Sequence, residues 1–271
     1  MQRKQSLLDA LAIMRDLRQR CEWDAAQTHA SLRPYLIEEA CELDDALRAG
    51  DADAMREELG DVLLQVLFHA VIAEEQGTFD IDDVAGSLVS KMERRHPHLF
   101  GSGERESWEK MKARHRERLG EGLPMALPAL HRAHRLQDRA AGVGFDWPDT
   151  SGPLEKVAEE LAEVREELAA NPVRGEASDV PTHDSSHTAL EGELGDLLFA
   201  VVNLCRKAGV HAALALDAAN AKFEQRFDDM SRLAAERGMT LGEASLEEMD
   251  AVWEEVKKGG PSDARRGTRE E

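Results

Sequence analysis

The chain has 271 residues, room for one large domain or two of ordinary size. Hydrophobic residues make up 42% and aromatics only 4%, so the chain supports a real core and favours helices over a β-sandwich. A formal net charge of −20 repels polynucleotides and argues against a nucleic-acid partner, and most of these acids need no explanation beyond solubility.

Met1 to Gln5 leads into an amphipathic helix pattern with no signal-peptide core. Leu7, Leu8, Leu11, Met14 and Leu17 then recur at helical spacing, and so do Leu59, Val62, Leu63, Val66 and Leu67. The most apolar run, Val62 to Ala73, is interrupted by Gln65 and His69 and is too short to span a bilayer, so no membrane partner is expected. Pro97 in Arg94-Arg-His-Pro-His-Leu-Phe-Gly101 predicts a helix end. Leu99 and Phe100 are expected to tuck back onto the bundle, and His96 and His98 to be structural. Breakers follow at Gly101-Ser-Gly103, Gly120-Glu-Gly122 and from Gly142 to Pro153. The helical rhythm resumes through Leu154, Val157, Ala158, Leu161 and Val164, and again through Leu194, Leu197, Leu198, Val201 and Val202. No period-2 strand stands out. Cys21, Cys41 and Cys205 have neither zinc spacing nor a disulfide framework, which fits a reducing, cytoplasmic compartment.

Four short blocks recur in the same order in the two halves. Glu38-Glu39-x-x-Glu42 returns as Glu159-Glu160-x-x-Glu163. Glu58-Leu-Gly-Asp61 returns as Glu193-Leu-Gly-Asp196. Lys91-x-x-x-Arg95 matches Lys222-x-x-x-Arg226, and Trp108-x-x-x-Lys112 matches Trp253-x-x-x-Lys257. The expected fold is therefore all-α, a tandem repeat of two helical-bundle units. We expect an N-terminal unit over residues 1–119, a linker region over 120–153, a C-terminal unit over 154–257 and a flexible tail over 258–271. Residues 171–188, between the two acidic blocks of the second half, read as a surface loop insertion, which a solvent loop tolerates cheaply.

Helical positions three and four apart share a face, so Glu160 projects with Glu163 and Glu193 with Asp196. If the two helices pack antiparallel, four carboxylates converge, and a divalent cation would relieve their mutual repulsion. Oxygen donors suit Mg2+ or Mn2+. Glu39, Glu42, Glu58 and Asp61 form the equivalent set in the first half. A single acidic helix face is usually just solvated. Here the second carboxylate pair abuts strongly apolar residues, and the whole set occurs twice with the same companions. Lys222, Arg226 and Lys257 would grip a polyphosphate beside a bound metal, and Trp253 would stack on a base. The plainer alternative pairs the cations with neighbouring acids such as Glu224 and leaves Trp253 in the core. No Gly-rich phosphate loop and no Ser-His-Asp or Cys-His arrangement can be read. Two rival functions remain at this point: a di-metal carboxylate bundle, which would call for Glu-x-x-His motifs that are missing, and a non-catalytic nucleotide-binding or scaffold protein.

These motifs resemble the MazG family of all-α nucleotide pyrophosphohydrolases, whose pattern is Glu-Glu-x-x-Glu, a spacer, then Glu-x-x-Asp. The Arg94-Arg-His-Pro-His-Leu-Phe-Gly101 and Val143-Gly-Phe-Asp-Trp147 segments resemble the two-domain form of that family, and the similarity spans roughly Ser6 to Lys257. The resemblance implies hydrolysis of NTP or dNTP to nucleoside monophosphate and pyrophosphate, with Mg2+, in a homodimer, mainly by the C-terminal unit. It implies Glu160, Glu163, Glu193 and Asp196 as metal ligands. It places Lys156 and Glu159 at the nucleotide, and Lys222, Arg226, Trp253 and Lys257 on triphosphate and base. Glu159, Lys222 and Arg226 are then the candidate catalytic groups, with Glu159 as proton acceptor. The chain departs from the pattern at Gly192, where the family carries an acid and the first half carries Glu57. Within the repeat, Tyr35 stands where the second half has Lys156, which points to the first half as the poorer catalyst.

Overall fold

The structure is a computed structural model that describes residues 5–102, 118–170 and 185–259. The chain divides into two compact units, Met1–Arg105 and Glu106–Glu271. Every regular element among the described residues is a helix.

The N-terminal unit contains α1 (Leu7–Arg20), α2 (Glu22–Ala26), α3 (Arg33–Ala49), α4 (Ala52–Glu75), α5 (Ile81–Arg95) and the single turn α6 (Pro97–Phe100). Ser6 and Asp9 start α1 with a reciprocal capping box, and Asp80 with Asp83 does the same for α5. The core lies where the apolar faces of α1 and α4 meet: Leu11 and Met14 pack on Leu67, Phe68, Val71 and Ile72, with Leu32 beneath them. Two guanidinium–carboxylate pairs fix the same crossing. Arg15 donates to Glu74 at 3.0 and 2.9 Å, and Arg18 to Glu75 at 2.9 and 2.5 Å.

The C-terminal unit contains α7 (Ala129–Gly142), α8 (Ser151–Ala170), α9 (Ser185–Lys207), α10 (Ala212–Glu236) and α11 (Leu246–Gly259). The pair α8–α9 is the most extensive helix packing in the unit; α7 lies on α9 and α10, and α11 lies on α10. Buried polar bonds help to seat α7: Gln137 Nε2 donates to the Phe199 carbonyl at 2.8 Å, and Arg139 to the carbonyls of Leu119 and Glu121 at 2.6 and 2.8 Å.

The stretch read as a linker therefore holds a packed 14-residue helix. Its apolar positions, Leu130, Ala133, Leu136 and Ala140, fall three and four apart and give it a face to bury. Leu99 and Phe100 do not tuck back; they are 67% and 64% exposed, on a helix α6 that is one turn long and packs on α5. His96 is structural as expected, its Nδ1 2.8 Å from the Met92 carbonyl. Helix α11 runs to Gly259, slightly into the expected tail. Trp108, Lys112 and most of the expected loop insertion, residues 171–184, lie outside the described residues.

Candidate active site

The first acidic set is built by a helical hairpin. Helix α3 ends at Ala49, Gly50 turns the chain in the left-handed region at φ 71°, and Asp51 caps α4 by accepting the amides of Asp53 and Ala54. The hairpin is symmetric about Gly50. Glu42 lies as many residues before it as Glu58 lies after, and Glu39 as many before as Asp61 after. Folding back on this turn sets Glu42 opposite Glu58 and Glu39 opposite Asp61. Carboxylate oxygens of Glu39, Glu42 and Glu58 indeed lie within 4.8 Å of one another. Burial raises the pKa of Glu39, and repulsion from Asp61, Glu42, Glu58 and Glu38 adds to it. Glu58 is raised likewise by burial, then by Glu42, Asp61 and Glu57. Each cause of these shifts disfavours the charged carboxylate, so the set favours an added positive charge.

The second set uses α8 and α9. Here Glu163 with Glu193, and Glu160 with Asp196, are symmetric about one midpoint in the chain. Carboxylate oxygens of Glu160, Glu163 and Glu193 lie within 4.8 Å of one another. Asp196, like Asp61 in the first unit, stands one turn further along the same helix and outside that tight group. Glu160 is the buried member, at 5% exposure. Lys156, one turn earlier on α8, places Nζ 2.6 Å from Glu160 and 2.8 Å from Glu159. Its hydrogen bond holds the Glu160 carboxyl below the ordinary range, against the opposing effect of burial. Glu163 goes the other way, raised first by a hydrogen bond shared with Glu160, then by burial and by the charges of Glu160 and Glu193. Lys156 itself is raised by Glu159 and Glu160. Beside this one lysine two adjacent carboxyls thus move in opposite directions, Glu160 down while Glu163 goes up. In the first unit Tyr35 occupies the equivalent place and packs edge-on against Trp23, with ring centroids 6.1 Å apart.

The remaining candidates lie on α10 and α11. Lys222 and Arg226 are one turn apart on α10, the helix that packs on α9. Trp253 of α11 meets Phe223 of α10 at 5.4 Å between ring centroids, and Phe223 meets Phe227 at 6.0 Å. Phe223 is 57% exposed, so this aromatic group opens to solvent rather than closing a core. Lys257 donates to Glu254 at 2.5 Å. The acids on one hand and the cations with Trp253 on the other are therefore carried by two packed helix pairs.

The MazG nucleotide pyrophosphohydrolase domain matches this chain over residues 27–100 and again over 151–231, so each match includes one acidic set. The chain is 45% identical over 261 residues to the nucleoside triphosphate pyrophosphohydrolase/pyrophosphatase MazG of Thermotoga maritima, covering 93% of this chain and 95% of that protein. It is 40% identical over 264 residues to the nucleoside triphosphate pyrophosphohydrolase of Escherichia coli (strain K12), covering 93% and 96%. This chain belongs to the MazG family.

One feature of this MazG-family chain escapes motif reading, although its residues lie within a quoted segment. In Val143-Gly-Phe-Asp-Trp147 the carboxylate of Asp146 accepts from Arg206 at 2.5 Å and from Lys207 at 3.0 Å, tying the loop before α8 to the end of α9. Burial opposes the Asp146 charge, but the two cations outweigh it and its pKa falls. Trp147 then lies on Gly152 in the first turn of α8. A Cβ at Gly152 would come within 1.9 Å of the indole, so this contact requires glycine. The signal available in sequence was a lone acid between aromatics and a basic pair closing an apolar helix. Nothing in the spacing says that the two meet.

Proposed function

We propose that the chain hydrolyses nucleoside triphosphates to nucleoside monophosphate and pyrophosphate, and that the C-terminal unit does so with Mg2+. Family membership supports the reaction class: the Thermotoga maritima and Escherichia coli relatives are both named nucleoside triphosphate pyrophosphohydrolases. The observation that carries the assignment to the second unit is Lys156, which spans Glu159 and Glu160 beside Glu163 and Glu193. The donor set is carboxylate oxygen throughout, which fits Mg2+ or Mn2+ and not zinc.

Glu160, Glu163 and Glu193 would hold the ion, with Asp196 completing the set from the next turn of α9. When bound, such an ion neutralises charge on phosphate oxygens and lowers the pKa of an attacking water. The protein's own groups do the rest. Lys156 is within reach of a phosphate placed at Glu160, and a phosphate that takes this lysine leaves the exposed Glu159 carboxylate free to accept the proton of the attacking water. A water oxygen bonds to phosphorus, the α–β bridging bond breaks, and its electron pair leaves on pyrophosphate. Lys222, Arg226 and Lys257 would balance the charge of that leaving group. Trp253, backed by Phe223, would stack on the base, a contact that suits any base and sets no strong preference.

A homodimer is part of the same reading. Large apolar side chains remain open on both acidic hairpins, Leu59 and Leu63 on α4, Leu194 and Leu198 on α9, and a second copy would cover such a face. A cytoplasmic location is consistent with three free cysteines. Among the described residues no single helix is long and apolar enough to cross a membrane.

The test is a panel of NTPs and dNTPs with Mg2+, the products separated by chromatography. Nucleoside monophosphate and pyrophosphate are expected. Diphosphate and inorganic phosphate, or no turnover of any substrate, would overturn the proposal. Light scattering at micromolar protein checks the dimer, and a mass of one chain would refute it.

A further inference from the structure

Three histidines meet in the C-terminal unit, away from the acidic set. His131 and His134 are one turn apart on α7, and His211 caps the start of α10. The His211 ring centroid lies 4.5 Å from that of His131 and 4.4 Å from that of His134. The Nδ1 atoms of all three are buried and make no hydrogen bond. A metal ion is a poor explanation. Among the described residues only the two carboxylate groups bring three ligand atoms within 4.8 Å of one another.

Protons are the better candidate. A neutral imidazole tolerates an unpaired ring nitrogen, but a protonated one carries two donors and full charge, and burial without acceptors then costs more. A second charge on a ring in contact repels the first. The surrounding charges are mostly positive. Arg132 and Arg135 share α7 with two of the histidines, and Arg206 approaches from α9. Asp138 brings a carboxylate 3.7 Å from His134 Nε2, but it already accepts from Arg135 at 2.9 Å. Burial lowers the His134 pKa; His211, Arg206 and Arg135 lower it further, while Asp138 opposes them.

We propose that His131, His134 and His211 form a proton-operated latch at the junction of α7, α9 and α10, closed when neutral and loosened when the cluster takes up protons in mildly acidic solution. Arg206 extends its reach. It is a cation beside the cluster and is also bonded to Asp146, which holds the loop leading into α8. Charge gathering on the histidines therefore pushes on the residue that anchors the helix bearing Glu160 and Glu163. The sign follows from linkage. Above the free imidazole pKa of about 6.5 neither state is charged and stability is flat. Below it the unfolded chain takes a proton that the buried His134 ring, facing His211, Arg206 and Arg135, holds less readily, so opening gains up to about tenfold per pH unit.

Hydrogen exchange of the full chain between pH 7.5 and 5.5, corrected for intrinsic rates, tests the latch without reference to catalysis. In the wild type, opening of residues 129–142 and 203–215 should increase by up to about tenfold, and by more than about threefold. In His134→Gln combined with His211→Asn the increase should stay below about threefold. Asn is a good helix cap, so α10 keeps its start. The His29–His69 pair in the other unit serves as an internal control, since its response should be the same in both proteins. Unchanged protection of these segments in the acidified wild type, or an equal acid response in the double variant, would overturn the proposal.

Discussion

The two acidic hairpins carry the same carboxylates and differ in what answers them. On α3 and α4, Glu39 and Glu58 are both raised, by burial and by neighbouring acids. On α8 and α9, Lys156 reaches Glu159 and Glu160 and lowers the latter. The exchange of Tyr35 for Lys156 separates them. The tyrosine packs edge-on against Trp23, which in turn meets Phe68 of the core. A lysine at the same register gives up that packing and supplies a charge that a phosphate can take over. Both hairpins keep the same carboxylates, and under the proposed function this one position divides the unit that grips phosphate from the unit that does not.

The hardest test of that division compares Glu193→Gln with Glu58→Gln in a pyrophosphate-release assay with Mg2+. Loss of one central carboxylate should cost Glu193→Gln about 100-fold or more in kcat, the scale of losing a charge-stabilising group. Glu58→Gln should stay within about twofold of wild type, because the groups around it lack a phosphate-gripping lysine. Full activity in Glu193→Gln would end the C-terminal assignment. Chelation of divalent ions should abolish turnover in wild type and restore it on adding Mg2+, read in the same assay.

A smaller effect is expected at the position that distinguishes the units. Lys156→Met should raise KM about tenfold, the value of one charge-assisted bond, with the fold retained by circular dichroism. Tyr35→Phe should leave KM and kcat unchanged. An equal response at both positions would mean that the difference between the hairpins is incidental.

The helices and the carboxylate sets were legible because both are periodic. Glu160 and Glu163, or Glu58 and Asp61, share a face by spacing alone, and the repeat supplied the pairing of one helix with the next. Even the hairpin symmetry about Gly50 is present in the residue numbers. What could not be read was contact across long separations. Asp146 meets Arg206 sixty residues later, and His131 meets His211 across the acidic hairpin, with no pattern in the chain to announce either. Helix α7 was obscured differently: Gly142 and the prolines around it hide a short amphipathic stretch that gains stability only by packing on α9 and α10. Leu99 and Phe100 were misplaced because hydrophobicity says what a residue prefers to touch, not whether four residues of helix can bring it there.

The smallest predicted effect probes the electrostatic contrast directly, without substrate. Glu58 has a folded pKa above its ordinary 4.5, so its charge opposes folding: stability is lost as pH rises through that raised value. Glu160 has a lowered one, so its charge favours folding: that contribution is present above 4.5 and lost as pH falls. In chelator at pH 7, Glu58→Gln should therefore raise the denaturant midpoint slightly, and Glu160→Gln should lower it. Both differences should shrink toward pH 4. Adding Mg2+ should cancel the gain in Glu58→Gln, because an ion held by Glu39, Glu42 and Glu58 turns their repulsion into binding energy that the variant lacks. A gain that persists in Mg2+ would mean that the N-terminal carboxylates hold no ion, and the two hairpins would then differ in ligation as well as in the lysine.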